Sequence, residues 1–431
     1  MPTWASNWLA DVERAATSLH PVIRELPPLR AGWLDDLAGG PVWLIPENLQ
    51  RAGSFKIRGA YTRISRLDPE LRRRGVVAAS AGNHAQGVAV AAGLLGVEAT
   101  VFMPHGATIP KVIATRGYGA TVEFAGHSVD AALIAARDFA ERTGAVLIHP
   151  FDHPDVVVGQ GTLALEILAR VPSVRTVLVC TGGGGLLAGI GTTMAAVDPS
   201  ISVIGVQAAG AAAYPASLRA RAPIRLPAMS TMADGIAVGQ PGAVPFELVQ
   251  QHVRDVVTVT EEQLSRAVLM LLERAKLLVE PAGAAGAAAL IGGVVRGGQA
   301  SNRHLSTAGH GPEPPREIDA PVAVVLSGGN VDPLLLSRII RHGLAAAGRF
   351  LTVTVRAPDQ PGSLAGVLGA VGSVGGNVIE IEHNRLSANL AVDEVEIVIQ
   401  LELRGHDHRL DVLRALSSCE DVAIVDVVPH D

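Results

Sequence analysis

Short β-rich runs alternate with alanine-rich helical stretches from about residue 40 to residue 330. The runs at 76–79, 99–102, 121–124, 146–149, 176–180, 203–206 and 322–326 are mostly apolar. Strands buried on both faces read this way. Helical stretches such as 86–95, 129–142 and 161–170 lie between them. Strand–helix alternation with short connections predicts an α/β fold with largely parallel sheets.

The stretch 296–320 is rich in Gly, Pro and polar residues and reads as a mobile surface loop. It is not a domain boundary, because the strand at 322–326 still belongs to the α/β body. The pattern changes after Gly348. Strands at 351–355, 378–382, 394–403 and 422–428 and helices at 364–371 and 410–417 follow the order β-α-β-β-α-β. That order is ferredoxin-like. Residues 349–431 therefore read as a separate small domain behind a body of residues 1–345.

Composition narrows the function classes. The chain is 48% hydrophobic and 18% charged, enough to fold around a substantial core. A net charge of −6 gives no reason to expect nucleic acid or an anionic membrane as partner. Residues 1–11 carry no basic start followed by an apolar run, so no secretory signal is read there. The apolar stretch 277–295 is interrupted by Glu280 and Pro281 and is rich in Ala and Gly. It reads as a tightly packed internal helix rather than a membrane span. Cys180 and Cys419 are the two cysteines; they form no disulfide framework or zinc pattern and fit a reducing, cytoplasmic setting.

Lysine is scarce. Lys56, Lys111 and Lys276 are the lysines among 35 Lys and Arg residues. A guanidinium stays protonated, whereas an amine can lose its proton and condense with an aldehyde. Lys56 lies in Ser54-Phe55-Lys56-Ile57-Arg58-Gly59-Ala60. Two further segments give it a context. Ala79-Ser80-Ala81-Gly82-Asn83-His84-Ala85-Gln86-Gly87 follows a strand and opens a helix. The free N–H groups of such a terminus suit a substrate carboxylate, although an ordinary N-cap explains this segment equally well. Thr181-Gly182-Gly183-Gly184-Gly185-Leu186 joins a strand to a helix, and its glycines let N–H groups converge on a phosphate. It is no P-loop, lacking Gly-Lys-Ser/Thr. As a dinucleotide fingerprint it lacks the acid expected at the end of the next strand, which is Gln207. A Schiff-base lysine, a carboxylate-binding helix start and a phosphate cradle together suggest pyridoxal phosphate and an amino-acid substrate.

On these residues the chain resembles the fold-type-II pyridoxal-phosphate enzymes, specifically the threonine dehydratases (threonine ammonia-lyases). The match rests on Glu47-Asn48-Leu49-Gln50, Ser54–Ala60, Ser80–Gly87, Gly159-Gln160-Gly161-Thr162, Gly182–Leu186, Glu280-Pro281-Ala282-Gly283 and Ser327-Gly328-Gly329-Asn330, in the family's order. The resemblance implies a tryptophan-synthase-β-like body of two α/β subdomains, the smaller at about 54–150. It implies that Lys56 holds pyridoxal 5′-phosphate as a Schiff base and moves the Cα proton. It places Phe55 beside the cofactor ring, Asn83 on the ring oxygen, Gly182, Gly183, Gly184, Gly185 and Leu186 on the phosphate, and Ser327 at the pyridine nitrogen. Ser80, Gly82, Asn83 and His84 would hold the substrate, with Ser80 also a candidate catalytic residue. The implied reaction is deamination of L-threonine to 2-oxobutanoate, with L-serine as secondary substrate.

Departures from relatives sharpen this reading. Similar serine racemases carry a second Ser where this chain has Ala81, and a methyl group cannot deliver a proton. A divalent cation in some relatives uses a Glu at the position of Gln207 with an Asp like Asp234, so no metal is expected. Leu44-Ile45-Pro46 replaces a stretch that usually contains lysine. The C-terminal domain resembles the ACT amino-acid-sensing modules at Asp359-Gln360-Pro361-Gly362-Ser363-Leu364 and Gly376-Asn377-Val378-Ile379-Glu380. That implies a homodimer or homotetramer, with isoleucine or valine as the natural effector and a pure dimerisation module as the alternative. A serine-specific dehydratase, a serine racemase and a non-catalytic amino-acid sensor are the competing readings of the whole chain.

Overall fold

The computed structural model describes residues 6–298, 314–346, 348–386 and 390–429. The chain forms two compact units, Met1–Asp332 and Pro333–Asp431. The helix Pro333–Ala346 falls in the second unit, ahead of the boundary that the change of pattern at Gly348 suggests.

The first unit holds two sheets. The larger runs Leu29–Arg30, Val42–Ile45, Val322–Val325, Thr176–Cys180, Ser202–Ala208, Asp255–Val259, parallel except for its first, edge strand. The smaller runs Thr121–Phe124, Ala99–Met103, Val76–Ala79, Val146–Leu147 and is parallel throughout. Val76–Ala79, Thr176–Cys180 and Val322–Val325 are buried at every residue, as parallel strands covered on both faces must be. Val322–Val325 sits between Val42–Ile45 and Thr176–Cys180. The chain after the 296–320 loop thus returns to the centre of the body. Of that loop, residues 299–313 lie outside the described residues, and its flanks, Val295–Gly297 and Arg316–Ile318, pair in parallel.

Local differences from the sequence reading have identifiable causes. The helix expected from residue 161 starts at Pro154, with Pro in the first turn and the His153 side chain accepting from Asp155 N at 3.1 Å. Its β-branched Val156, Val157 and Val158 disguise the start, and all three are buried. The strand expected at 146–149 is confined to Val146–Leu147. Strands Val42–Ile45 and Asp255–Val259 have no counterpart in the sequence reading: the first is cut short by Pro46 and the second opens on a charged residue. The helix expected within 277–295 is Pro281–Ile291, buried at every residue. Among the described residues no helix is long and apolar enough to cross a membrane.

The second unit has an antiparallel sheet ordered Asn377–Asn384, Glu394–Glu402, Phe350–Pro358, Ala423–Pro429. Helices Ser363–Ser373 and His406–Ser417 complete the β-α-β-β-α-β order. Its central strands alternate buried with half-buried residues, the signature of a sheet packed on one face.

Arg58 ties three segments of the first unit together. Its guanidinium is fully buried on the Lys56–Ser65 helix. Nε and Nη2 donate to both oxygens of Glu47 at 2.8 Å, and Nη1 donates to Glu166 at 2.5 Å and Thr162 at 3.2 Å. Glu47 lies in the turn after Val42–Ile45, and Glu166 on the Pro154–Arg170 helix. Removing one member of a buried ion pair strands the other without solvent. Arg58→Leu is therefore expected to lower the unfolding free energy by about 3–5 kcal/mol, read from denaturant titration. A loss below about 1 kcal/mol would show the clamp to be dispensable.

Candidate active site

Lys56 opens the Lys56–Ser65 helix, and the chain before it is pinned. Ser54 bridges Gly328, and Phe55 N donates to Ser327 O at 3.1 Å. Arg58 fixes the helix two residues later. The Lys56 amine is consequently held inside the protein, where Nζ donates to Pro150 O at 3.0 Å and lies 5.1 Å from the centre of the Phe55 ring. Burial pushes its pKa down to about 8, against weaker opposing pulls from Cys180 and Glu280. A far larger fraction of such an amine is neutral and nucleophilic near pH 7 than of an ordinary lysine.

The amine faces a cavity of about 820 Å³. Phe55, Lys56, Ser80, Gly82, Asn83, His84, Gly182, Gly183, Gly184, Gly185, Leu186 and Ser327 all line it, so the site residues singled out in the sequence are brought together. The Gly182–Leu186 turn leads from the Thr176–Cys180 strand into the Gly185–Val197 helix, whose first N–H groups have no preceding turn to donate to. A Cβ on Gly183 would lie 2.4 Å from the Phe151 ring. Gly184 has φ of +99°, and a Cβ there would run into the Tyr214 hydroxyl. No side chain can replace these glycines without displacing Phe151 or Tyr214.

Ser80 and Gly82 lead into the Asn83–Leu95 helix, with Gly82 N donating to Ser80 Oγ at 3.1 Å. Asn83 is oriented from both sides. Its Oδ1 accepts from Asn330 Nδ2 at 2.8 Å, and its Nδ2 donates to Glu280 Oε1 at 2.5 Å. The His84 ring is committed elsewhere: Nε2 lies 2.7 Å from Ile148 O, and burial drives its pKa down to about 3. His84 thus remains neutral and braces the helix. Ser327 Oγ accepts from Cys180 Sγ at 3.0 Å, while burial raises that thiol to about 11 and keeps it protonated.

Sequence reasoning leaves some cavity groups without a role. Glu280 is buried at the start of the Pro281–Ile291 helix, and desolvation, then the nearby Asp234 charge, raise its pKa to about 7. Lys111 pairs with Asp234, and both line the cavity. Asn330 enters the sequence reading only as part of a motif. Asn83 and Glu280 are 197 residues apart, Lys111 and Asp234 123, and Asn330 and Asn83 247, so no local pattern joins them. Gln207 is buried, and its Oε1 accepts from Tyr214 N at 2.8 Å. Among the described residues no group of three or more His, Cys, Asp or Glu is gathered as a metal site.

Residues 19–304 match the family model for the pyridoxal-phosphate dependent enzymes. The chain belongs to that family. It is 41% identical over 409 residues to an L-threonine ammonia-lyase of Thermotoga maritima, covering 95% of this chain and 96% of that protein. That alignment is longer than the first unit, so it extends into the second. A catabolic L-threonine dehydratase of Staphylococcus aureus is 40% identical over 340 residues, covering 79% of this chain and 93% of its own. Among solved structures, a T.th. threonine deaminase is similar with a TM-score of 0.66 at 38% identity, over 75% of this chain and 98% of that one. Maize serine racemase is similar with a TM-score of 0.68 at 33% identity, over 78% and 98%.

The residues present fit pyridoxal phosphate. An amine of lowered pKa, a glycine turn that has no room for a Cβ at Gly183 or Gly184 and an oriented asparagine amide line one cavity of adequate size. When bound, the cofactor supplies an aldehyde for amines and a ring that withdraws electrons from Cα. Schiff-base formation by the cofactor-free protein is expected to accelerate as pH rises through about 8, because the neutral amine is the nucleophile. Stopped-flow absorbance after mixing with pyridoxal phosphate reads this. A rate that falls over the same interval would contradict the assigned state of Lys56.

Proposed function

We propose that this chain is a pyridoxal-phosphate-dependent L-threonine ammonia-lyase, converting L-threonine to 2-oxobutanoate and ammonia, with L-serine giving pyruvate as a secondary activity. The observation that carries the reading is the half-buried Lys56 amine, its pKa lowered, facing one cavity with the glycine cradle and Asn83, on a chain 41% identical to an L-threonine ammonia-lyase.

Each residue has a task. The N–H groups of Gly182 to Leu186 take the cofactor phosphate. Phe55 would pack beside the cofactor ring, and Asn83 would donate to its oxygen through the N–H not used by Glu280. Ser327 accepts from Cys180, which leaves its own proton to donate to the pyridine nitrogen. A neutral hydroxyl there withdraws electrons less than a carboxylate-held proton would, which favours prompt loss of the β-hydroxyl. Ser80, Gly82, Asn83 and the main chain of His84 seat the substrate carboxylate at the helix start. With the cofactor bound, Lys56 would be the base for the substrate Cα proton. Loss of the β-hydroxyl as water and hydrolysis then yield the 2-oxo acid and ammonia.

Ala81 lines the cavity and supports a lyase over a racemase, since it offers no proton to the second face of Cα. We read residues 349–431 as an ACT-like regulatory domain for a branched-chain amino acid, in a homodimer or homotetramer. The setting is the cytoplasm.

The test is 2-oxo acid formation by the purified holoenzyme. L-threonine should give 2-oxobutanoate, and Lys56→Ala should abolish it. A cofactor-loaded protein that releases no 2-oxo acid from threonine or serine would overturn the assignment.

A further inference from the structure

Lys111 has no part in the reaction described above, yet it faces the same cavity as Lys56. It stands on the Ile109–Gly117 helix of the smaller sheet, and its partner Asp234 lies in the 3-10 turn Asp234–Ile236 that follows the larger sheet's strand Ser202–Ala208 in the chain. The two side chains differ in exposure. Lys111 is 13% exposed and Asp234 is 57% exposed. A carboxylate in that much water holds a cation weakly, because exchange with solvent and counter-ions is easy. The ammonium is thus enclosed, but its acceptor is replaceable.

A competing acceptor position lies alongside. The Lys111 Nζ is 3.9 Å from the point where a Cβ on Gly82 would stand. Gly82 belongs to the segment assigned to the substrate carboxylate. The same ammonium is close enough to Glu280 to hold its pKa down, and Asp234 close enough to push it up. Gly235, next to Asp234, would place a Cβ 3.6 Å from Glu280 and 3.9 Å from Asn83. Lys111, Asp234, Gly82, Asn83 and Glu280 therefore meet within one corner of the cavity. An amino acid whose amine replaces Lys56 brings its carboxylate to that corner. A further anion beside Asp234 needs a cation, and Lys111 already stands in that corner.

We propose that Lys111 is a substrate-binding residue, whose ammonium moves from Asp234 to the carboxylate of the bound amino acid. The inference rests on the reading of Ser80–Asn83 as the carboxylate seat. It makes Asp234 a holder that competes with the substrate, rather than a partner in binding. It also accounts for lysine at this position in an arginine-rich chain: a compact point charge on a flexible stem can switch between two acceptors, whereas a guanidinium fork locks onto one.

The test compares steady-state kinetics of the holoenzyme with Lys111→Met, Lys111→Arg and Asp234→Asn, using L-threonine and L-threoninamide. Cofactor absorbance and thermal melting verify that each variant is folded and loaded. Lys111→Met is expected to raise KM for L-threonine about tenfold or more, the loss of one charge-assisted hydrogen bond, with kcat within about threefold. Lys111→Arg should fall between that variant and the parent. Asp234→Asn should leave KM unchanged or lower it, since it frees the ammonium. The amide, lacking the carboxylate, should be handled alike by the parent and Lys111→Met. Equal rises in KM for Lys111→Met and Asp234→Asn, on acid and amide alike, would reduce the pair to a structural strut and overturn the proposal. A parent enzyme that does not distinguish acid from amide would instead overturn the carboxylate seat itself, and this inference with it.

Discussion

The site depends on a buried cation that takes no part in chemistry. Arg58 satisfies Glu47 and Glu166 at once, and so locks the Lys56–Ser65 helix to the turn after Val42–Ile45 and to the Pro154–Arg170 helix. Placing a guanidinium in the interior is costly unless its donors find acceptors, and here the acceptors come from both sides of the sequence. The reward is positional. A lysine side chain is long and would ordinarily reach water. Lys56 instead faces the cavity half-buried, because the helix that carries it is fixed two residues on and the chain before it is bridged to Ser327 and Gly328.

Desolvation then shifts the protonation of several groups in and around the cavity. It lowers Lys56 to about 8 and raises Glu280 to about 7 and Cys180 to about 11. It also drives His84 to about 3 and His149 to about 4. Each shift favours the uncharged form. The cavity that receives a charged phosphate and a zwitterionic substrate thus combines these groups, shifted toward their uncharged forms, with the Lys111–Asp234 ion pair and the fixed dipoles of backbone N–H groups and amides. Such an arrangement needs little reorganisation when charge develops on the substrate.

The body's central strands were legible because fully buried parallel strands read as unbroken apolar runs, and 76–79 and 176–180 coincide with observed strands. The β-α-β-β-α-β order of the second unit was legible for the complementary reason: strands covered on one face alternate. Val42–Ile45 escaped because Pro46 truncates it, and the start of the Pro154–Arg170 helix because three valines imitate a strand. At the site, Lys56 stood out through the scarcity of lysine, and the glycine turn through its composition. The Asn330–Asn83–Glu280 chain and the Lys111–Asp234 pair did not, since they join segments far apart in sequence. Nothing but the tertiary fold makes them neighbours.

The central claim is that Lys56 alone among the lysines carries the cofactor. Borohydride reduction of the holoenzyme, followed by peptide mapping, tests it directly. The account predicts a pyridoxyl group on the peptide containing Lys56, with Lys111 and Lys276 unmodified. A label on either of those lysines, or none on Lys56, would contradict it.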